Sequence, residues 1–507
     1  MRKTLMHYNS GLVTALFVLA CMTVQSKSGL RPRGDVNCDW EVTVADVNIL
    51  IDAIMTGTRY HSLYTYALDL NGDKEINIAD INMAVDALLG EELPPMPSYS
   101  GTLPVLFINT EGHRDIDSKE DYLNASWWLD NMGIEGYGSI GSASEPQRME
   151  IKGRGHYSWN HYDKKPLRLK LLAKQEMLGM PANRHWALLA NAGSWKGQIE
   201  NTLSYEIGRR MGMAWNPHME PVEVVLNGQY IGMYFLVEKI TVDDDRVNII
   251  EQHDNEVNPR KVTGGWLLEI NNYDEPSNIT FTEGNGNIFW VMPHSPKNLS
   301  DVQREYITDF LKNADAAIYS NDKYSTLWEQ YIDIESLATY YVVQEIADNP
   351  EAFSGSCYMY KQRGDSTKLL FGPIWDCDHS YYRQSSEYQD EFIYEDVPSN
   401  WYCRWIAEIA KFPRFQSCVR EKWLLFYEQI YPQIDNYLDN FAAKIEQAGN
   451  ADYVRWPQYN NNNITYRLNH YGRQYFHKKV VWLQSQWSTR LSYNDASESK
   501  QKKDKRL

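Results

Sequence analysis

The stretch "PVEVVLNGQYIGMYFLVEKI", Pro221 to Ile240, reads as a β-hairpin with Asn227-Gly228 at its turn. Asn-Gly between two such runs suits a two-residue turn, because both central residues must take positive φ. Strand-like runs precede it at Arg148–Lys152 (RMEIK), Pro166–Leu172 (PLRLKLL) and His185–Ala190 (HWALLA). A helical stretch, Gln198–Met211, ended by Gly212, lies between those runs and the hairpin. From Ser300 the character changes to helices, in "SDVQREYITDFLKNADAAIY", "IDIESLATYYVVQEIA" and an aromatic-rich set running to Leu491. The order predicts an α+β fold in two lobes, an antiparallel sheet lobe and then a mostly helical one.

The whole chain has 507 residues, of which 43% are hydrophobic and 13% aromatic, enough for two or three domains with a large core. A formal net charge of −17 argues against a nucleic-acid surface and suits a protein that binds cations. At the N-terminus, Met1-Arg2-Lys3 is followed by the apolar run Leu12–Ala20, too short to span a bilayer, so residues 1–21 read as a signal peptide and the protein as exported. Val18-Leu19-Ala20-Cys21 also resembles a lipoprotein cleavage box, which leaves a secreted, periplasmic or lipid-anchored surface form open, with Cys21 as the sole link to a membrane. Six cysteines without any CxxC point away from a zinc site.

An internal repeat opens the mature chain. "DVNCDWEVTVAD" (Asp35–Asp46) and "DLNGDKEINIAD" (Asp69–Asp80) align at an offset of 34 residues, each followed by an apolar-periodic helix. Oxygen side chains fall at loop positions 1, 3, 5, 9 and 12: Asp35, Asn37, Asp39, Thr43 and Asp46, then Asp69, Asn71, Asp73, Asn77 and Asp80. That is the EF-hand order, in which one short loop supplies several oxygens to a hard cation such as Ca2+. With Asp at position 12, residues 30–92 resemble a type I dockerin, an all-α module that implies calcium binding and docking onto a cohesin-domain partner, often in a polysaccharide-degrading assembly. Position 6, where Gly is usual, holds Trp40 and Lys74 instead; a side chain at positive φ costs about 1 kcal/mol. Residues 93–102, which overlap "GEELPPMPSYSG" (Gly90–Gly101), read as a stiff Pro-rich linker.

The large domain, residues 103–491, carries a second pair of acids in "FGPIWDCDHSYY" (Phe371–Tyr382), where Asp376 and Asp378 close an apolar run. Two carboxylates there suit a divalent metal beside a phosphate, or a strand end that meets water. "KGRGHYS" (Lys152–Ser158) is a GxG turn with basic neighbours, and alternation in the next strand puts Arg168 and Lys170 on one face. In order, "EIKGRG", "KKPLRLKLL", "IENTLSYEIGRRMG", "LNGQYIGMYFLVEK", "TGGWLLEIN", "VVQEIADNPEAF" and "KLLFGPIWDCD" resemble the CotH kinase family of atypical secreted kinases.

The resemblance implies a kinase-like site that uses ATP with Mg2+ or Mn2+. Gly153 and Gly155 would cover the phosphates, Lys170 would neutralise them with Glu206 as its partner, and adenine would meet backbone near Glu238. Asp376 would bind metal, supported by Asp378. The family's catalytic Asn-x-Asp reads Asn349-Pro350-Glu351 here, and the metal-ligating Asn five residues on is Ser356. A shift of about 1 Å at such a group can cost on the order of 10²-fold in rate. Asp348 is an alternative to Glu351. Three functions follow: a tethered protein kinase acting on a protein phosphoacceptor, a catalytically silent binding or structural component, and a glycoside hydrolase using Glu351 and Asp376. Trp401, Trp405, Trp423, Trp456, Tyr459, Trp482 and Trp487 suit helix cores better than a sugar-stacking platform. The basic tail, residues 492–507, reads as disorder.

Overall fold

A computed structural model describes residues 29–57, 68–73, 75–91, 93, 96–194, 196–381, 391–395, 405–459 and 463–488. The expected signal peptide, residues 1–21 with Cys21, as well as Lys74, Trp401, Cys403 and residues 492–507, lie outside the described residues. Among those described, no helix is long and apolar enough to cross a membrane.

Two compact units make up the chain. The first comprises residues up to Ala192, Pro221–Leu236 and Gln447–Gln458. It begins with the two repeat helices, α1 (Val44–Thr56) and α2 (Ile78–Leu88). Each starts with a capping box, closed by Thr43 with Asp46 and by Asn77 with Asp80. Their apolar faces meet in a small core of Val36, Val47, Leu50, Ala53, Leu68, Leu70 and Ala84.

Next come β1 (Val105–Thr110), β2 (Leu123–Asp130), β3 (Gln147–Gly153), the short α3 (Tyr157–His161), β4 (Leu167–Met177) and β5 (Met180–Leu189), and later the hairpin β6 (Met219–Leu226) and β7 (Gln229–Glu238). Alternation predicts the strand faces correctly. Met149, Ile151, Leu167, Leu169 and Leu171 are buried in one core, whereas Arg168 and Lys170 point away from it. At the turn, Asn227 and Gly228 take φ of 50° and 75°, as the Asn-Gly pair requires.

The expected antiparallel sheet lobe is a barrel, which is not clearly the sheet lobe of a two-lobed kinase: the seven strands close in the order β1-β2-β3-β4-β5-β7-β6. Closure comes from β1, which pairs antiparallel with β2 and parallel with β6. Residues 96–102, inside the expected linker, are also docked rather than free. Ser100 donates from its N–H and Oγ to the Glu223 carboxylate at 2.7 Å each, and Tyr99 is buried with Phe107 and Tyr230.

The second unit comprises Gly193–Glu220, Val237–Glu446 and residues from Tyr459 onward. It holds α4 (Glu200–Arg210), β8 (Trp266–Ile270), β9 (Ile279–Thr282), β10 (Ile288–Ser295), α5 (Asp301–Ile318), α6 (Ile334–Ala347), β11 (Cys357–Lys361), β12 (Leu369–Phe371) and the later helices. It is richer in strand than a mostly helical lobe, because a five-stranded sheet, β12-β11-β8-β10-β9, runs through it. Trp405, Trp423 and Trp487 are buried in this unit, and Trp456 in the first, which favours cores over a sugar platform.

Candidate functional site

The second unit brings together the acids that the sequence singled out. After β12 the chain passes through Ile374 and Trp375, both buried, into Asp376, Cys377 and Asp378. Asn201, on α4, clamps this turn from both sides. Its Oδ1 accepts the Cys377 N–H at 2.8 Å, and its Nδ2 donates to Asp378 Oδ1 at 2.5 Å. Cys377 is fully buried, and burial pushes its thiol up, so it is a packing group rather than a nucleophile.

Asp376 and Ser356 both take left-handed backbone, with φ of 58° and 52°, and the Ser356 hydroxyl donates to Asp376 Oδ2 at 3.3 Å. Left-handed non-glycine residues persist where their surroundings fix them. Here the Ser356 N–H donates to Glu269 Oε1 at 3.1 Å, and the other Glu269 oxygen lies 2.5 Å from His294 Nε2.

Glu351 follows Asn349, whose side-chain oxygen accepts the Glu351 N–H at 3.2 Å. Burial raises the Glu351 carboxyl and the Asp376 charge adds to this, while His379, 4.0 Å away, opposes it. The Asp378 carboxyl is raised too, by its close surroundings and then by Asp376. Its side chain keeps access to solvent. Glu351, Ser356, Asp376 and Asp378 therefore form one oxygen-rich group.

Asp348 does not belong to it. It caps α6 in left-handed backbone and is fully buried; Lys479 Nζ donates to it at 2.9 Å, and the Tyr475 hydroxyl donates as well. This corrects the reading of Asp348 as a substitute for Glu351: its carboxylate is spent on a buried ion pair.

The residues assigned to the nucleotide are each committed locally. In the first unit, Gly153 ends β3 opposite Leu167, and a Cβ there would meet the Trp159 ring at 2.2 Å. Gly155 has a φ of 83°, and a Cβ would lie 2.5 Å from Ser158 Oγ. Lys170 pairs with Glu150 across the strands at 2.6 Å. In the second unit, burial would raise Glu206, but Arg209 and Arg210, at 2.5 and 2.7 Å, outweigh it and hold the carboxyl below its usual range. So Lys170 and Glu206, expected as partners, are each neutralised by a charge in their own unit. Glu238 is fully buried; its carboxylate accepts the N–H and Nδ1 of His218 at 2.9 Å each, and its own N–H donates to the His218 carbonyl at 3.2 Å.

The two repeat loops share the same bonds at their position-12 acids. Asp46 Oδ1 accepts the N–H groups of Val36 and Asn37, and its Oδ2 that of Thr43; Asp80 does the same for Leu70, Asn71 and Asn77. Asp35 accepts from Cys38, Asp39 and Trp40, and Asp69 from Gly72. Asn37 with Asp39 and Asn71 with Asp73 repeat the same contacts, the amide donating at 2.7 and 2.8 Å. Among the described residues no three His, Cys, Asp or Glu side chains gather tightly enough to hold a metal by themselves. The loops fit Ca2+ differently, through a donor set of Asp, Asn and Thr oxygens on a pre-bent backbone. Trp40 takes the φ of 71° that the turn needs, and its ring reaches Gly228 on the barrel hairpin.

Sequence reasoning missed Asn201, Glu269 and Lys479. Glu269 had a signal, being the lone polar residue of the apolar run "WLLEI"; Asn201 had none, since it stands among the polar residues of "IENTLSYEI", and neither had Lys479, whose acids lie more than 100 residues away.

Comparison with known families agrees with this architecture. The CotH kinase protein model matches residues 151–494, and the dockerin type I domain model matches residues 33–89. No curated protein matches the chain. The protein belongs to the CotH kinase protein family and carries a type I dockerin domain ahead of the matched region.

Proposed function

We propose that the protein is an exported, metal-dependent phosphotransferase that transfers a phosphoryl group to a protein hydroxyl, tethered by its calcium-binding dockerin to a cohesin-bearing surface or extracellular partner. The grouping of Glu351, Ser356, Asp376 and Asp378 in one unit is the observation that carries this reading. Asp376 and Asp378, with the Ser356 hydroxyl, have the hard oxygen chemistry to hold Mg2+ or Mn2+. A bound metal of this kind neutralises the charge of the transferring phosphoryl group. Asn201 orients Asp378, and Glu269 fixes the backbone of Ser356.

Glu351 is then the acceptor for the hydroxyl proton. A carboxyl raised by burial is closer to the pH at which it must act, which favours general-base work. The nucleotide roles of Gly153, Gly155 and Lys170, and those of Glu206 and the Glu238 region, are carried in this reading by the family resemblance alone. ATP is the donor in this reading. Incubation with labelled ATP should transfer γ-phosphate to the protein itself or to a Ser-rich acceptor, dependent on Mg2+ or Mn2+ and abolished by Asp376→Ala.

The second reading is a catalytically silent binding component of a dockerin-assembled, polysaccharide-degrading complex. Its specific support is that Lys170 and Glu206 are already neutralised by Glu150 and by Arg209 with Arg210. Absence of transfer with both metals and several acceptors would select it.

A further inference from the structure

The middle strand of the five-stranded sheet, β8, carries a residue at odds with its neighbours. Trp266, Leu267, Leu268 and Ile270 are buried and apolar, whereas Glu269 among them is a carboxylate only 14% exposed. A carboxylate so placed needs hydrogen-bond partners for its oxygens. One oxygen accepts the Ser356 N–H at 3.1 Å, and the other lies 2.5 Å from His294 Nε2. Because a carboxylate only accepts, the imidazole carries its hydrogen on Nε2.

His294 reaches Glu269 through an irregularity in the sheet. Met292 pairs with Glu269 and Pro293 with Leu268, but Ser295 then pairs with Leu267, so His294 is an extra residue in the β8–β10 ladder. A β-bulge of this kind gives up regular pairing and re-aims a side chain. Tyr358, opposite Glu269 on β11, packs beside the imidazole with ring centres 5.3 Å apart. The residue that Glu269 holds is irregular as well. Ser356 takes a φ of 52°, where side chains are uncommon, and in that pose its hydroxyl donates to Asp376 Oδ2 at 3.3 Å. The hydroxyl oxygen keeps lone pairs for a cation. A bulge, a carboxylate in a middle strand and left-handed backbone thus converge on one hydroxyl, and none of the three strengthens the sheet itself.

We propose that His294, acting through Glu269, is a positioning residue for the acid group: it sets the Ser356 hydroxyl against Asp376 and so strengthens the binding of a divalent cation there. The inference rests on the phosphotransferase reading only in taking Ser356 and Asp376 as cation ligands. Hydrogen bonds made behind a ligand change metal affinity by roughly 10- to 100-fold.

Titration of the calcium-stripped full chain with Mn2+, with free Mn2+ read by electron paramagnetic resonance, tests this role. Asp376→Ala reports what the repeat loops bind, and its difference from the parent defines the Asp376-dependent site. His294→Phe keeps a ring beside Tyr358 but loses the donor, and should weaken that site on the order of tenfold. His294→Gln, which keeps an N–H donor, should recover most of the loss, a rescue that packing alone would not produce. Glu269→Leu should weaken the site at least as much as His294→Phe. Melting temperatures of the same variants separate lost positioning from lost folding. Parent-like Mn2+ affinity in both His294→Phe and Glu269→Leu overturns the proposal whether or not phosphate is transferred, and so does equal weakening by His294→Phe and His294→Gln. The expected order of affinities without any γ-phosphate transfer supports the positioning role and overturns the phosphotransferase reading. Absence of Asp376-dependent Mn2+ binding in the parent overturns both.

Discussion

At the scale of single residues, the most consequential feature outside the acid group is the buried charge network behind it. Lys479 is fully buried between Asp348, at 2.9 Å, and Glu345, at 3.7 Å. Both acids flank the end of α6, directly before Asn349 and Glu351, so this network sets where the candidate base begins. Removing one partner of a buried ion group leaves uncompensated charge, which costs about 3–5 kcal/mol. Lys479→Met should therefore lower the urea midpoint strongly. Glu345 adds a pH signature: burial, only partly offset by Lys479, raises its carboxyl from 4.5 to about 7. The folded state then binds a proton that the unfolded state has already released, so stability falls as pH rises from about 4.5 to about 7 and is level above it. The loss is on the order of 1–3 kcal/mol. Urea unfolding across that range should show the slope in the parent and a shallower one in Glu345→Gln, the remainder coming from other raised carboxyls such as Asp378 and Glu351.

Among the elements, β3 shows how a glycine can look like a phosphate loop and serve packing. Gly153 backs onto Trp159 so closely that a methyl would sit 2.2 Å from the ring. Gly153→Ala must displace that indole, at a cost of about 1–3 kcal/mol. The urea midpoint should fall at unchanged m-value; an unaltered midpoint would mean that the ring moves freely. The strands β3 to β7 and helix α4 were legible because their signals are local: alternation, the Asn227-Gly228 turn and Gly212 after the helix. Barrel closure was not, because period-two alternation says which face is buried and nothing about whether β1 will also pair with β6. The same limit hid the β8–β12 sheet, whose strands are short and separated by loops and helices. For the candidate site, the acids of "WDCD" and the repeat loops were legible, since their chemistry sits in consecutive residues. The ion partners of Lys170 and Asp348 were not, since one depends on strand register and the other on a distant helix; those of Glu206, Arg209 and Arg210, sit three and four residues on along α4, a local signal that the reading passed over.

For the whole molecule, the first repeat loop is structurally joined to the barrel rather than tethered beside it. The Arg31 N–H donates to the Gly228 carbonyl at 2.8 Å, and the Arg31 guanidinium donates to the Asp35 carbonyl at 2.9 Å. One residue thus touches both the ligand loop and the barrel hairpin, and Trp40, at the position where Gly is usual, packs over the same turn. The two loops otherwise rely on backbone amides to occupy carboxylates that a cation would also use, so calcium should tighten an arrangement already bent to receive it. A ligand that binds only the folded state adds about 2.7 kcal/mol at a concentration 100 times its Kd. Calcium should accordingly raise the melting temperature of the full chain, with reversal by a chelator, and replacement of both Asp35 and Asp69 by Ala should abolish that rise. Because among the described residues Arg31 joins the first loop to Gly228, whereas the second loop is held by Arg33, which donates to the Leu70 carbonyl, Asp35→Ala alone should remove more of the barrel's calcium response than Asp69→Ala alone. Equal losses from the two single variants would show that the contact at Gly228 does not transmit calcium binding to the barrel.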